Sequence, residues 1–186
     1  MLTKRQKVEG SLFLAGFIAC VPAANWLIGH VGTTCMPDGP CLIPVAPGIM
    51  APSGVVMIGL ALVLRDLVQR RLGVTYAALG ILVGAAISAL FAPPALVVAS
   101  AAAFLFSEIA DLLVFTPLQR RGLVLAVFVS SIVGLVVDSL LFLWLAFGSF
   151  EFLGGQILGK AWMVLIALPF VHLIRQRERA LGLEVA

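Results

Sequence analysis

Charge is what this chain has least of. Only 11% of its 186 residues are Asp, Glu, Lys or Arg, against about 25% in an ordinary soluble domain. With 62% hydrophobic residues and a mean hydropathy of +1.15, the chain is excluded from the soluble globular class and read as a membrane protein. Cysteine and histidine are also rare, at three and two residues. No CxxC pair or His/Cys cluster exists, so neither a metal site nor any other cofactor is expected. No GxxxxGK[ST] stretch is present, which excludes nucleotide hydrolysis by a P-loop in this chain.

What is present is a set of long apolar runs. Counting those that approach the ~20 residues needed to cross a bilayer gives an all-α integral membrane protein. Its six transmembrane helices form one bundle, near 9–29, 52–71, 73–92, 95–118, 122–148 and 154–174, and residues 1–186 make a single domain. The basic residues set its orientation. Lys4, Arg5 and Lys7 precede the first helix; Arg70 and Arg71 end the second; Arg120 and Arg121 end the fourth; Arg175, Arg177 and Arg179 follow the sixth. The connections 30–51, Pro93-Pro94 and 149–153 carry no Lys or Arg. Every second boundary is basic, which places both termini in the cytoplasm. Topology thus accounts for most of the net charge of +3 and the pI of 9.1, and no nucleic-acid partner is expected. A cleaved secretory signal is the competing reading of the start, but the apolar run continues to Gly29, longer than a signal core.

The segment 30–51 is rich in proline and glycine. It either caps the outer mouth or folds back into the bundle, and Cys35 and Cys41 in "CMPDGPC" are either a disulfide or two thiols. Cys20 reads as a small core residue. Trp26, Trp144 and Trp162 all fall toward outer helix ends, as an interfacial aromatic belt requires, with base stacking as the sharper alternative. The similar endings "RDLVQRRLG" and "DLLVFTPLQRRG" suit two helices running the same way and do not establish an internal repeat.

Six ionisable residues lie inside the expected spans: Arg65, Asp66, Glu108, Asp111, Asp138 and Lys160. Each costs roughly 2.5 to 3.5 kcal/mol at a helix centre, so they must face one another, water or a ligand. Ionised, they leave an excess of two negative charges, from four acids and two bases. Glu108 and Asp111 share a helix face with Ser107 beside them. Ser131, Gly134 and Asp138 form a small, polar stripe. Gln156 aligns with Lys160, Arg65 with Gln69, and Asp66 with Arg70, the last as an expected local ion pair. Measured from the basic helix ends, Asp138 and Lys160 stand roughly 24 and 22 Å up, a matching depth, while Glu108 and Asp111 stand roughly 18 and 14 Å up. Arg65, roughly 8 to 9 Å up, is placed to reach toward Asp111.

"APSG", "RDLVQRRLG", "SEIADLLVF", "SSIVGLVVDSLLF" and "GQILGKAW", in that order, resemble the vitamin uptake transporter family, also called the queuosine precursor transporter family. The resemblance runs from the "AN" at Ala24-Asn25 to about residue 170. It implies a bacterial inner (cytoplasmic) membrane importer of 7-deazaguanine-type bases, working within the lipid bilayer. The substrate-binding candidates are Glu108, Asp111, Asp138, Lys160, Arg65, Asn25, Ser107, Ser131 and Gln156. A carboxylate offers two parallel acceptors to the paired ring N–H and amine of a guanine-type edge, and Glu108 is the first candidate for that contact. Phe104, Phe115 and Trp144 are candidates to stack on the ring. Whether a homodimer or a separate ATPase module assists is left open. A substrate-binding membrane subunit for another vitamin-like solute is the alternative. An intramembrane aspartyl protease is a weaker one, since "VVDS" has no GxGD-type partner. A scaffold role fits poorly with so many buried charges, and no enzymatic activity is expected.

Overall fold

The computed structural model describes residues 4–37, 39–92 and 94–180. Six helices carry the fold: α1 (Lys4–His30), α2 (Val55–Leu72), α3 (Val74–Phe91), α4 (Val97–Leu118), α5 (Leu123–Phe147) and α6 (Leu153–Ala180). A 3-10 turn at Pro94–Leu96 leads into α4. Pro93, Asp38 and the chain ends 1–3 and 181–186 lie outside the described residues. α1 and α6 extend beyond the expected 9–29 and 154–174, because their polar ends continue the helix past its apolar part.

The fold is not purely helical, since residues 34–52 form a three-stranded antiparallel sheet of β1 (Thr34–Cys35), β2 (Cys41–Ala46) and β3 (Ile49–Pro52). Cys35 pairs with Cys41 in register and the two form a disulfide. Leu42 faces Pro52, Ile43 faces Ala51, and the register shifts between Pro44 and Ala46. Pro44 has no N–H to donate to a ladder, which is why this segment does not read as strand. The sheet folds back onto the bundle: Cys41, Leu42 and Ala51 are buried, Ser53 Oγ donates to Leu27 O at 2.7 Å, and Trp162 Nε1 donates to Val45 O at 3.1 Å. The second helix therefore starts at Val55 rather than 52.

The six expected helices are all present, and five of them have the length and composition of spans. Among the described residues five helices, all but α2, are long and apolar enough to cross a membrane, which makes this a multi-pass membrane protein. α2 carries Arg65, Asp66, Arg70 and Arg71 in 18 residues. It is also the central element, packed against each of the other five helices. A helix surrounded by protein needs no apolar face toward lipid, so its polar residues can be turned inward. Arg65, Asp66, Gln69 and Arg71 are all buried.

Tight joints keep the layers in place. Gly73 ends α2 at φ 94° and lets α3 begin one residue later. Val63, Leu67, Phe115, Leu123 and Val171 form one core cluster, and Phe17, Ile81 and Phe104 belong to another. At the basic end, Glu9 and Glu178 tie three helices together. Arg71 Nε lies 2.9 Å from Glu9 and Arg70 Nη2 lies 2.6 Å from Glu178, which also accepts from Arg71. The expected Asp66–Arg70 pair does not form. Asp66 points to α5 and Arg70 stretches toward the helix end, where α6 offers Glu178.

Candidate functional site

Two polar centres lie within the bundle. The first is built on Arg65, completely buried, from α2. Its Nε stands 3.2 Å from Glu108 Oε2, its Nη2 2.6 Å from Asp111 Oδ1 and its Nη1 2.9 Å from Asp66 Oδ1. The last two are ionic contacts whose angles are not those of hydrogen bonds. Nη1 also donates to Gln69 Oε1 at 3.1 Å, and Gln69 Nε2 donates to Thr116 Oγ1 at 2.9 Å. Ser130 Oγ donates to Asp66 Oδ2 at 2.8 Å. The guanidinium sits 5.7 Å from the centroid of the Phe115 ring, a cation–π contact. Three carboxylates thus converge on one cation.

Gly134 is what lets α5 come this close. A Cβ there would meet Leu62 Cδ2 at 2.7 Å and Asp111 Oδ2 at 3.2 Å. Gly134→Val should therefore lower stability by about 1–3 kcal/mol through overpacking, read as a lower midpoint of thermal unfolding in detergent; an unchanged midpoint would mean that the α4–α5 joint is looser than described.

The second centre is Lys160 of α6, whose side chain is 1% exposed. Its ammonium donates to Asp138 Oδ2 at 2.5 Å, to Ser139 Oγ at 2.9 Å and to Gln156 Oε1. Those three acceptors use all three of its protons. Asp138 Oδ1 has no hydrogen-bond partner among the described residues, and Asp138 lines a cavity.

That cavity is bounded by α1, α2, α3, α4, α5 and α6, and Pro52 at the end of β3 also lines it. Its empty space, counted out to the open mouth, is about 490 Å³, of which about 50 Å³ admits the centres of water-sized molecules. Asn25, Ser88, Ser100, Asp138, Gln156 and Lys160 supply the polar part of the wall, and Phe104, Phe142, Val21, Ile28, Val55 and Ile58 are among the apolar part. It occupies the half of the bundle away from the basic helix ends.

Of the nine sequence candidates, Asn25, Asp138, Gln156 and Lys160 come together on this wall. Arg65, Glu108 and Asp111 meet instead in the ionic cluster. Glu108 lies one turn beyond the cavity-lining Phe104 on the same face of α4, roughly 6 Å farther along the axis. Ser107 is buried and donates to Phe104 O at 3.1 Å. Ser131 is buried with no partner for its hydroxyl among the described residues. Phe104 alone of the three stacking candidates lines the cavity: Phe115 packs under Arg65, and Trp144, 58% exposed, stacks on Phe150. Ser88, Ser100, Ser139 and Phe142 were missed. Ser139 stands beside Asp138 in "VVDS", whereas Ser88 and Ser100 stand in apolar stretches with no charged neighbour and give no signal of their own.

The matched part of the chain holds the charged residues of this wall, Asp138 and Lys160. Residues 87–174 match the family described as "putative vitamin uptake transporter". The match covers α4 and α5 whole and α6 through Ile174, and with them Phe104, Glu108, Asp111, Asp138, Gln156 and Lys160. The family and the membrane-type helices together point to a transport role. No curated protein and no solved structure matches the chain.

Proposed function

We propose that this protein imports a 7-deazaguanine-type base across the bacterial inner membrane. In this reading α2 is the sixth span, both termini are cytoplasmic, and the base occupies the cavity bounded by Asn25, Asp138, Gln156 and Lys160. The observation that carries the reading is the half-used carboxylate of Asp138. One oxygen is fixed by a saturated ammonium, and the other is unpaired in the wall of a cavity. A buried, oriented acceptor rejects guests that cannot donate to it, because it would be left without a hydrogen bond. The ring N–H and amine of a guanine-type edge satisfy that requirement. Lys160 and Asp138 cancel in charge, so the pair binds a neutral guest without leaving an unbalanced ion.

The remaining wall suits the rest of such a base. Asn25, Ser88 and Ser100 offer donors for an exocyclic oxygen or a ring substituent, and Phe104 and Phe142 offer flat apolar surface. Arg65, Glu108 and Asp111 stand behind the cavity and fix α4 against α2, which makes them positioning residues for Phe104 and Asp138.

The test is accumulation of queuosine in tRNA by cells that cannot synthesise its precursors and depend on a supplied base. Cells carrying this protein should restore the modified nucleoside, and cells lacking it should not. Equal levels in both would refute the assignment of a deazaguanine cargo and favour another vitamin-like solute.

A further inference from the structure

We infer that the basic end of the bundle holds a second binding site, for a phosphate-bearing anion. An open cleft of about 630 Å³ is lined there by Arg70, Arg120, Arg121, Arg175, Arg179 and a single acid, Glu178. Five cations and one anion leave the cleft at +4. Glu178 is already committed to Arg70 and Arg71, at 2.6 Å from the former. Arg120, Arg121, Arg175 and Arg179 have no carboxylate partner among the described residues, although the arginines beside them at this end, Arg5, Arg70 and Arg71, are all paired.

The backbone adds to the same field. α5 begins at this cleft with Gly122 as its N-cap, and no side chain caps its first amides. The Arg175 guanidinium lies over that start, 3.7 to 3.9 Å from where a Cβ on Gly122 would be. A positive helix terminus and a half-buried guanidinium repel each other unless an anion lies between them. Pairing with the C-terminal dipole of α6 explains Arg179, in its last turn, but not Arg175, which sits further back and faces α5. A tetrahedral oxyanion accepts from several forked guanidinium groups and backbone amides at once, which suits a phosphate better than a carboxylate. Its source is either the headgroup of an anionic lipid or a soluble phosphate. The site is separate from the base cavity: along α2, Arg70 lies roughly 18–22 Å from the cavity-lining Val55 and Ile58.

The experiment is native mass spectrometry of the purified full-length protein titrated with phosphatidylglycerol, with phosphatidylcholine as control and inorganic phosphate and pyrophosphate as soluble competitors. Phosphatidylglycerol should bind more tightly than phosphatidylcholine, and Arg121→Gln combined with Arg175→Gln should weaken it roughly 20- to 30-fold. The double lysine replacement should stay within a few-fold of wild type. Arg177→Gln, on the exposed face outside the cleft, should have no effect. Displacement by phosphate or pyrophosphate would assign the site to a soluble anion, and its absence to a lipid; both support the site. If the double variant fails to fold, Arg120→Gln with Arg179→Gln, both exposed, replaces it. The inference is overturned if Arg177→Gln weakens binding as much as the cleft variants do. It also falls if wild type binds phosphatidylglycerol no more tightly than phosphatidylcholine and neither phosphate nor pyrophosphate at all.

Discussion

Arg65→Met should nearly abolish folded protein in the membrane, with a loss of about 3–5 kcal/mol of stability, the usual cost of leaving buried charges without their partner. Arg65 is the one cation touching Asp66, Glu108 and Asp111 among the described residues. Methionine fills the space but leaves three acids converging on nothing, in a bundle whose surroundings are hydrocarbon. Membrane accumulation and a monodisperse gel-filtration peak are the readouts. Neutralising the cluster as a whole, with Asp66→Asn, Glu108→Gln and Asp111→Asn added to Arg65→Met, should recover much of the folded protein, because a neutral network lacks the uncompensated charge. Full accumulation of the single Arg65→Met variant would show that the three acids are satisfied by something other than this guanidinium.

Asp138→Asn should separate folding from transport. Asparagine keeps the size of the side chain and can still accept from Lys160, but it leaves that buried ammonium without its counter-charge, so some stability is lost as well and uptake is read per molecule of folded protein. What it loses is the second anionic oxygen facing the cavity. Hydrogen bonds to charged groups are worth about 1.5–3 kcal/mol, so uptake at limiting substrate, per molecule of folded protein, should fall about 10- to 100-fold. Lys160→Met is different in kind. It frees Asp138 from its ion pair and removes the cation bonded to Ser139 and Gln156, so uptake and stability should fall together. Wild-type uptake by Asp138→Asn would move the guest away from this wall.

The membrane class and the paired charges were legible because the bilayer imposes simple rules. Helix length follows from hydrocarbon thickness, and a rise of about 1.5 Å per residue turns sequence position into depth. Asp138 and Lys160 come out at matching depths on that ruler, and they meet at 2.5 Å. Arg65 lies lower, yet its long side chain reaches Asp111. The alignments of Gln156 with Lys160 and of Gln69 with Arg65 became hydrogen bonds for the same reason, since residues four apart share a helix face.

What escaped depended on contacts between segments far apart in the chain. The sheet at 34–52 is fixed by pairing across strands and by the walls of α1 and α6, and Pro44 argues against it locally. Arg70 meets Glu178 across more than a hundred residues, so spacing within α2 gave the wrong partner. α2 fails as an apolar span for a related reason: being central, it is shielded by five other helices. Glu108 looked like the leading ligand because an acid near mid-membrane has few cations nearby, but Arg65 reaches it and the cavity opens a turn away. Depth along a helix is readable from sequence; which side chain faces a void is a property of all six helices together.

The most direct test is equilibrium binding of a radiolabelled 7-deazaguanine base to the purified protein in lipid nanodiscs, wild type beside Asp138→Asn. Saturable binding to the wild type, weakened at least about tenfold in the variant, is the result expected if the open oxygen of Asp138 grips the guest. Equal affinity in the two proteins, or no saturable binding to the wild type, would contradict it.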